Sequence, residues 1–161
     1  MAEAAEVALL LALLDSAYDK KAWHGPNLKG SVRGLSPSQA SWRPASGRKC
    51  IAEIVAHAAY WKYAVRRRLT GAKRGSFAIQ GSNWFPLPAP WDRAAWVGYV
   101  KLLDAEHRAL RGVVAGLAPG DLGRRSPGSK YVASTMIQGI AAHDLYHAGQ
   151  IQLLKRLMPK T

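Results

Sequence analysis

Apolar residues recur at spacings of three and four over four long stretches of the chain, the period of helices with one buried face. The first predicted helix runs from Ala5 to Trp23, with Val7, Leu10, Leu11, Leu14 and Tyr18 as its stripe. Gly25-Pro26 interrupts it, and because proline suits a first helical turn, Pro26 to Val32 reads as a continuation. The serines and prolines between Gly34 and Pro44 leave room for one short turn after Ser36. A second helix is expected from Cys50 to Leu69, with Cys50, Glu53, Ile54, His57, Tyr60, Trp61 and Ala64 on the face turned to the core. Residues 71 to 90, rich in Gly, Ser, Pro and aromatic side chains, suit a binding loop and an irregular flap over one end of the core equally well. The third helix opens at Asp92, a good N-cap, with Trp91 and Trp96 placed to clasp across it. Its stripe of Val100, Leu103, His107, Leu110, Val114 and Leu117 ends at Pro119-Gly120. After a polar connector, Asp121 to Ser129, the fourth helix runs from Ala133 to Leu157 and turns Met136, Ile140, His143, His147, Ile151 and Leu154 inward.

No repeat or low-complexity linker divides the pattern, so residues 1–161 read as one all-α domain. A chain of 161 residues buries about two thirds of its unfolded surface, and needs no disulfide or structural metal to fold. The apolar run from Val7 to Leu14 follows Glu3 and Glu6 without a Lys or Arg, and is too short to span a bilayer; it is expected to be a core helix, with no membrane partner. Cys50 has no second cysteine to pair with, which fits a reducing cytoplasm. Lys and Arg outnumber Asp and Glu by 23 to 10, a net charge of +13 that attracts polyanions nonspecifically. The densest points are Arg66-Arg67-Arg68 with Lys73 and Arg74, Arg124-Arg125, and Lys155-Arg156 with Lys160, all at or just beyond predicted helix C-termini, where cations offset the dipole. Without a base-reading motif, zinc knuckle or ribonucleoprotein signature, a nucleic acid stays open as a partner but is not favoured.

The candidate chemistry lies in the fourth helix. His143 and His147, four residues apart, stand one above the other on one helical face, where a single divalent cation can take both. The alternative is two histidines on a solvated face, or one buried and hydrogen-bonded. His57, on the inward stripe of the second helix, is the natural third partner, because three neutral imidazoles leave a cation open to exogenous ligands. His107 has no companion at a useful spacing and is read as structural. Glu53 is a weak catalytic candidate: it has the spacing of a capping box with Cys50, and as a carboxylate one turn before His57 it also fits a general base or an orienting group. Gln150, one turn beyond His147, is the second weak candidate, placed to bond an occupant or a ligand, while Gly149 is expected to permit close helix approach. Asp144 points about 100° away from His143, toward solvent or another helix. Cys50 lies roughly two turns, about 10 Å, before His57 and cannot share its cation. Tyr60 and Trp61 are expected in core packing, and His24 in an exposed turn.

The stretch from Ser41-Trp-Arg-Pro44 through Cys50-Ile-Ala-Glu53 to His57, followed by His143-x3-His147-Ala-Gly-Gln150, resembles the DinB-like superfamily, which includes the YfiT-type metalloenzymes. The resemblance extends from about Leu13 to Leu157, with Cys50 standing where many members have Ser or Thr. It implies a DinB-like four-helix bundle with long crossover connections, and a divalent metal, nickel or zinc, held by His57, His143 and His147. It also implies a small-molecule substrate, with a low-molecular-weight thiol as cosubstrate transferred to an electrophile; monomer and homodimer both stay open. Two alternatives stand beside that expectation: a metal-dependent hydrolase, and a basic helical binding protein with no catalysis.

Overall fold

Six α-helices and no strand make up the regular structure of residues 2–159, described in a computed structural model with side chains from residue 5 onward. They are α1 (Ala2–Tyr18), α2 (Leu28–Val32), α3 (Pro37–Ser41), α4 (Ile51–Thr70), α5 (Arg93–Ala115) and α6 (Ala133–Leu157), with a 3-10 turn at Pro119–Asp121. The first helix ends at Tyr18 rather than Trp23, because the amides of Asp19 and Lys20 both turn back to the Asp15 carbonyl. The following segment is not a continuation: Gly25 takes a positive φ of 96°, and Asn27 starts α2 afresh by accepting from the Gly30 amide at 2.8 Å. The short turn after Ser36 forms as α3, closed by a reciprocal Ser36–Gln39 capping box. Asp92 caps α5 through the Ala95 amide at 2.9 Å, and the Trp91 and Trp96 rings meet across it with centroids 6.3 Å apart.

α4 packs on α5 and α6, and α1 packs on the same two helices from the other side, so α1 and α4 occupy opposite corners. The α2–α3 connection therefore crosses the bundle. α4 is the central helix and is buried on nearly every side from Ile51 to Val65, not on one stripe alone; Tyr60 and Trp61 are its half-covered positions. The segment from residue 72 to Trp91 is a flap on α4, anchored by the buried Phe85 and by Phe77, whose ring meets Tyr60, Tyr63 and Phe85 at 5.4 Å.

The apolar core falls into two parts. One lies under the flap, around Ile51, Val55, Phe85, Leu103 and Ile151; the other is built on Leu14, Val65, Leu110, Val114 and Ile137. Between them sits a polar group that the sequence reading did not anticipate. Lys62 and Asp144, each 0% exposed, form an ion pair between α4 and α6. The Lys62 ammonium also lies 3.3 Å from His107 Nδ1 and 4.9 Å from the centroid of the Tyr18 ring, which stacks on His107 at 3.8 Å. Tyr18 in turn donates to Asp104, which pairs with Lys29. Asp144 thus meets another helix, not solvent. Burial pushes its carboxyl up while Lys62 pulls the other way, and burial first, Lys62 second, drive His107 down to about 3.

Of the basic clusters, Arg66 pairs with Glu106 and Arg124 with Asp121, while Lys160 lies outside the described residues. Among the described residues no helix is long and apolar enough to cross a membrane.

Candidate metal centre

α4 and α6 run side by side, so His57 on the former faces His143 and His147 on the latter. His143 Nε2 lies 3.2 Å from His57 Nε2 and 3.0 Å from His147 Nε2. One ligand atom from each of the three rings falls within 4.8 Å of the others. Nitrogens bound tetrahedrally at about 2.0–2.1 Å sit roughly 3.3 Å apart, so the cluster has nearly the dimensions of a coordination sphere. His57 and His147 are buried and His143 is half-buried.

The far nitrogens place the proton on two of the three rings. His57 Nδ1 faces the carbonyl oxygen of Asn83 at 2.7 Å, and His147 Nδ1 faces Gln150 Oε1 at 2.7 Å. Both oxygens only accept, so both Nδ1 atoms carry the proton and both Nε2 atoms present lone pairs. His143 Nδ1 is buried without a partner. If its proton sits there, three lone pairs face one another; if it sits on Nε2, it can serve only one neighbour and leaves a buried nitrogen bare. A divalent cation at the convergence relieves the conflict among the three Nε2 atoms, and the oxygen acceptors behind His57 and His147 are the companions of metal-bound imidazoles. The rings are also held neutral: burial lowers His57, takes His143 to about 3 and takes His147 to about 4.

The flap is part of this site. Asn83 holds a positive φ of 65°, which aims its carbonyl at His57, while its side chain accepts from Trp61 Nε1 at 2.9 Å. Trp84 stacks on the His57 ring at 3.9 Å, with planes 10° apart. The open side of the histidines gives onto a cavity of about 480 Å³ walled by Ile54, Trp84, Tyr146, Leu153 and Leu154, with Arg48 and Lys49 at its edge and no Asp or Glu in its lining. Tyr146 and Leu153 are 64% and 58% exposed. An apolar bowl with cations and no acid favours an occupant with negative charge.

The weak catalytic candidates have other places. Glu53 faces the start of α4: it pairs with Arg43, lies 3.4 Å from Lys49 and accepts from the Cys50 amide at 2.9 Å, so it is a cap and touches none of the three histidines. Burial works to raise it, but Arg43 and the Cys50 amide prevail and hold it low. Gln150 bonds a histidine of the cluster, His147. Gly149 does not mediate helix contact, since a Cβ built there meets nothing within 4 Å. Cys50 is buried away from the cluster, its thiol pushed up by burial. His24 is exposed beside the Ser16 carbonyl, and His107 belongs to the Lys62 group. Asn83, Trp84, Arg48, Lys49 and Tyr146 are site residues that sequence reasoning did not single out.

The family profile of the DinB superfamily matches residues 22–151. Comparison with curated proteins and with solved structures returns no match.

Proposed function

The chain belongs to the DinB superfamily, and from that premise we propose that it is a divalent-metal-dependent enzyme acting on a small molecule, with a low-molecular-weight thiol as cosubstrate. The observation that carries the metal is the convergence of the His57, His143 and His147 Nε2 atoms with two of the Nδ1 protons fixed by oxygen acceptors. Three neutral imidazoles suit nickel or zinc, and a bound cation supplies the Lewis acidity that lowers a thiol's pKa. Asn83 and Gln150 keep the ligand protons on the far side, and Trp84 shields one face of His57 from water. Arg48 and Lys49 draw an anionic reactant to the mouth of the cavity.

Thiol transfer is favoured over hydrolysis because no carboxylate is free to act as a base. Asp and Glu are missing from the cavity wall, Glu53 is engaged at the helix start, and Asp144 is locked to Lys62. A thiol, with a free pKa of about 8.5, is fully ionised on a cation without such a base, whereas bound water, lowered only to about 7, stays partly protonated and gains more from one. The test begins with metal analysis of protein purified without a histidine tag, where about one equivalent of cation is expected and none in His147→Ala. Electrophile consumption is then followed with and without a panel of cellular thiols. Metal-dependent turnover that ignores every thiol would sink the transferase reading; a metal-free protein that still binds polyanions would leave only a basic binding domain.

A further inference from the structure

On the other side of the Trp61–Asn83 contact, the outer face of α4 and the flap enclose a second groove of about 650 Å³, distinct from the histidine cavity. Its floor is aromatic: Tyr60, Trp61 and Tyr63 from α4, covered at one end by Phe77. Arg67, Arg68 and Arg74 line it, and no Asp or Glu does. No ion pair among the described residues includes any of these three arginines, although Lys29, Arg43, Lys49, Lys62, Arg66, Arg111 and Arg124 all have carboxylate partners. Arg67 and Arg68 occupy the last turn of α4, where the dipole alone explains a cation. It does not explain Arg74, which lies beyond the helix, nor three arginines lining one aromatic-floored groove without a carboxylate partner, Arg67 bonding only the Ala72 carbonyl at 3.2 Å. The Arg68 guanidinium lies 6.0 Å from the centroid of the Trp61 ring.

Guanidinium forks match phosphoryl oxygens, and the aromatic floor offers faces on which a planar ring can stack. The volume lies within the roughly 300–1,000 Å³ typical of small-molecule sites. We propose that the α4–flap groove is a binding site for a nucleotide-sized ligand, its phosphoryl groups held by Arg67, Arg68 and Arg74 and its planar ring laid against Trp61 and Tyr60. The site is independent of the metal centre, though it shares the Trp61–Asn83 wall with it.

The test is calorimetric titration of the full chain with adenosine diphosphate, adenosine and inorganic pyrophosphate, carried out in the His147→Ala background so that phosphate oxygens cannot gain affinity from a bound cation. Adenosine diphosphate is expected to bind at least tenfold more tightly than either fragment. Arg67→Ser/Arg68→Ser/Arg74→Ser is expected to weaken it by at least that factor. A variant that loses the same charge elsewhere on the exposed surface, Lys101→Ser/Arg108→Ser/Arg156→Ser, is expected to leave it unchanged. Equal losses in the two triple variants would reduce the effect to general attraction by a basic protein and overturn the proposal. So would affinity for single-stranded oligonucleotides that climbs with length well beyond one nucleotide, which would make the groove part of a nucleic-acid track. Retention of nucleotide binding in a protein that never takes up a metal would support the groove while the metal reading fails on its own.

Discussion

Two polar clusters share α4 and α6, the first reaching α5 as well through His107, and solve one problem in opposite ways. At Lys62, Asp144 and His107 the chain supplies its own cation: the Lys62 ammonium faces a carboxylate and the lone pair of a neutral imidazole. At His57, His143 and His147 the imidazoles are equally neutral, yet no ammonium or guanidinium lies among their hydrogen-bond partners. One cluster carries its cation within the polypeptide; the other gathers three imidazoles with no cationic side chain among their partners. The difference separates a polar group that ties α4 to α5 and α6 from one whose geometry suits a metal ion, although both look like histidines on apolar stripes.

The largest effect should come from breaking the self-contained cluster. Lys62→Met strands the Asp144 carboxylate in the core and is expected to cost about 3–5 kcal/mol in denaturant unfolding, most of it recovered in Lys62→Met/Asp144→Leu. A single variant as stable as the parent would mean that Lys62 contributes nothing there. Acid strikes both clusters next. Because His107 and His143 titrate near 3 and His147 near 4 in the fold, against 6.5 when solvated, the folded chain binds fewer protons than the unfolded one between those limits. Stability is therefore complete above pH 6.5 and drains as pH falls toward 3. Urea midpoints of metal-free protein at pH 7.5 and 4.5 should differ accordingly, and a flat profile would contradict the neutral, buried imidazoles.

The remaining expectations are smaller and separate the clusters further. Gln150→Leu removes the acceptor behind His147, which should weaken metal affinity about 10- to 100-fold while leaving the melting temperature of the metal-free protein nearly unchanged. Competition with a chromophoric chelator reads the first quantity, and an equal loss in thermal stability would mark Gln150 as structural. Glu53→Gln is expected to cost only about 1–2 kcal/mol of stability through the start of α4, with metal affinity intact. Metal loss in that variant would return Glu53 to the site.

All four long helices were legible in the sequence, and so was the histidine triad, because its members lie on helices whose period fixes their direction. The end of α1 was not, for Asp19-Lys20-Lys21 carries no breaker and the chain turns on backbone amides that pattern does not encode. Asn83 and Trp84 reach His57 across 26 and 27 residues of sequence from an irregular segment without a period, so nothing local announces the contact. Asp144 is placed by its angle toward solvent or another helix, but its partner Lys62 was readable too and went unpaired. Ile51, Val55, Ala58, Lys62 and Val65 form a buried stripe, as do Ile137, Ala141, Asp144, Ala148 and Ile151, each with one charge of opposite sign. The habit of assigning every lysine to water hid the first of them.

Asn83 fastens His57 through a main-chain carbonyl, which no side-chain replacement deletes. Docking of the 72–91 segment and the proposed uptake of a cation are therefore expected to be linked equilibria, and linkage runs in both directions. Whatever steadies that ring for the ion also raises the free energy of peeling the segment open, so a protease added to the loaded form would cut between Ala72 and Trp91 more slowly than in the stripped one.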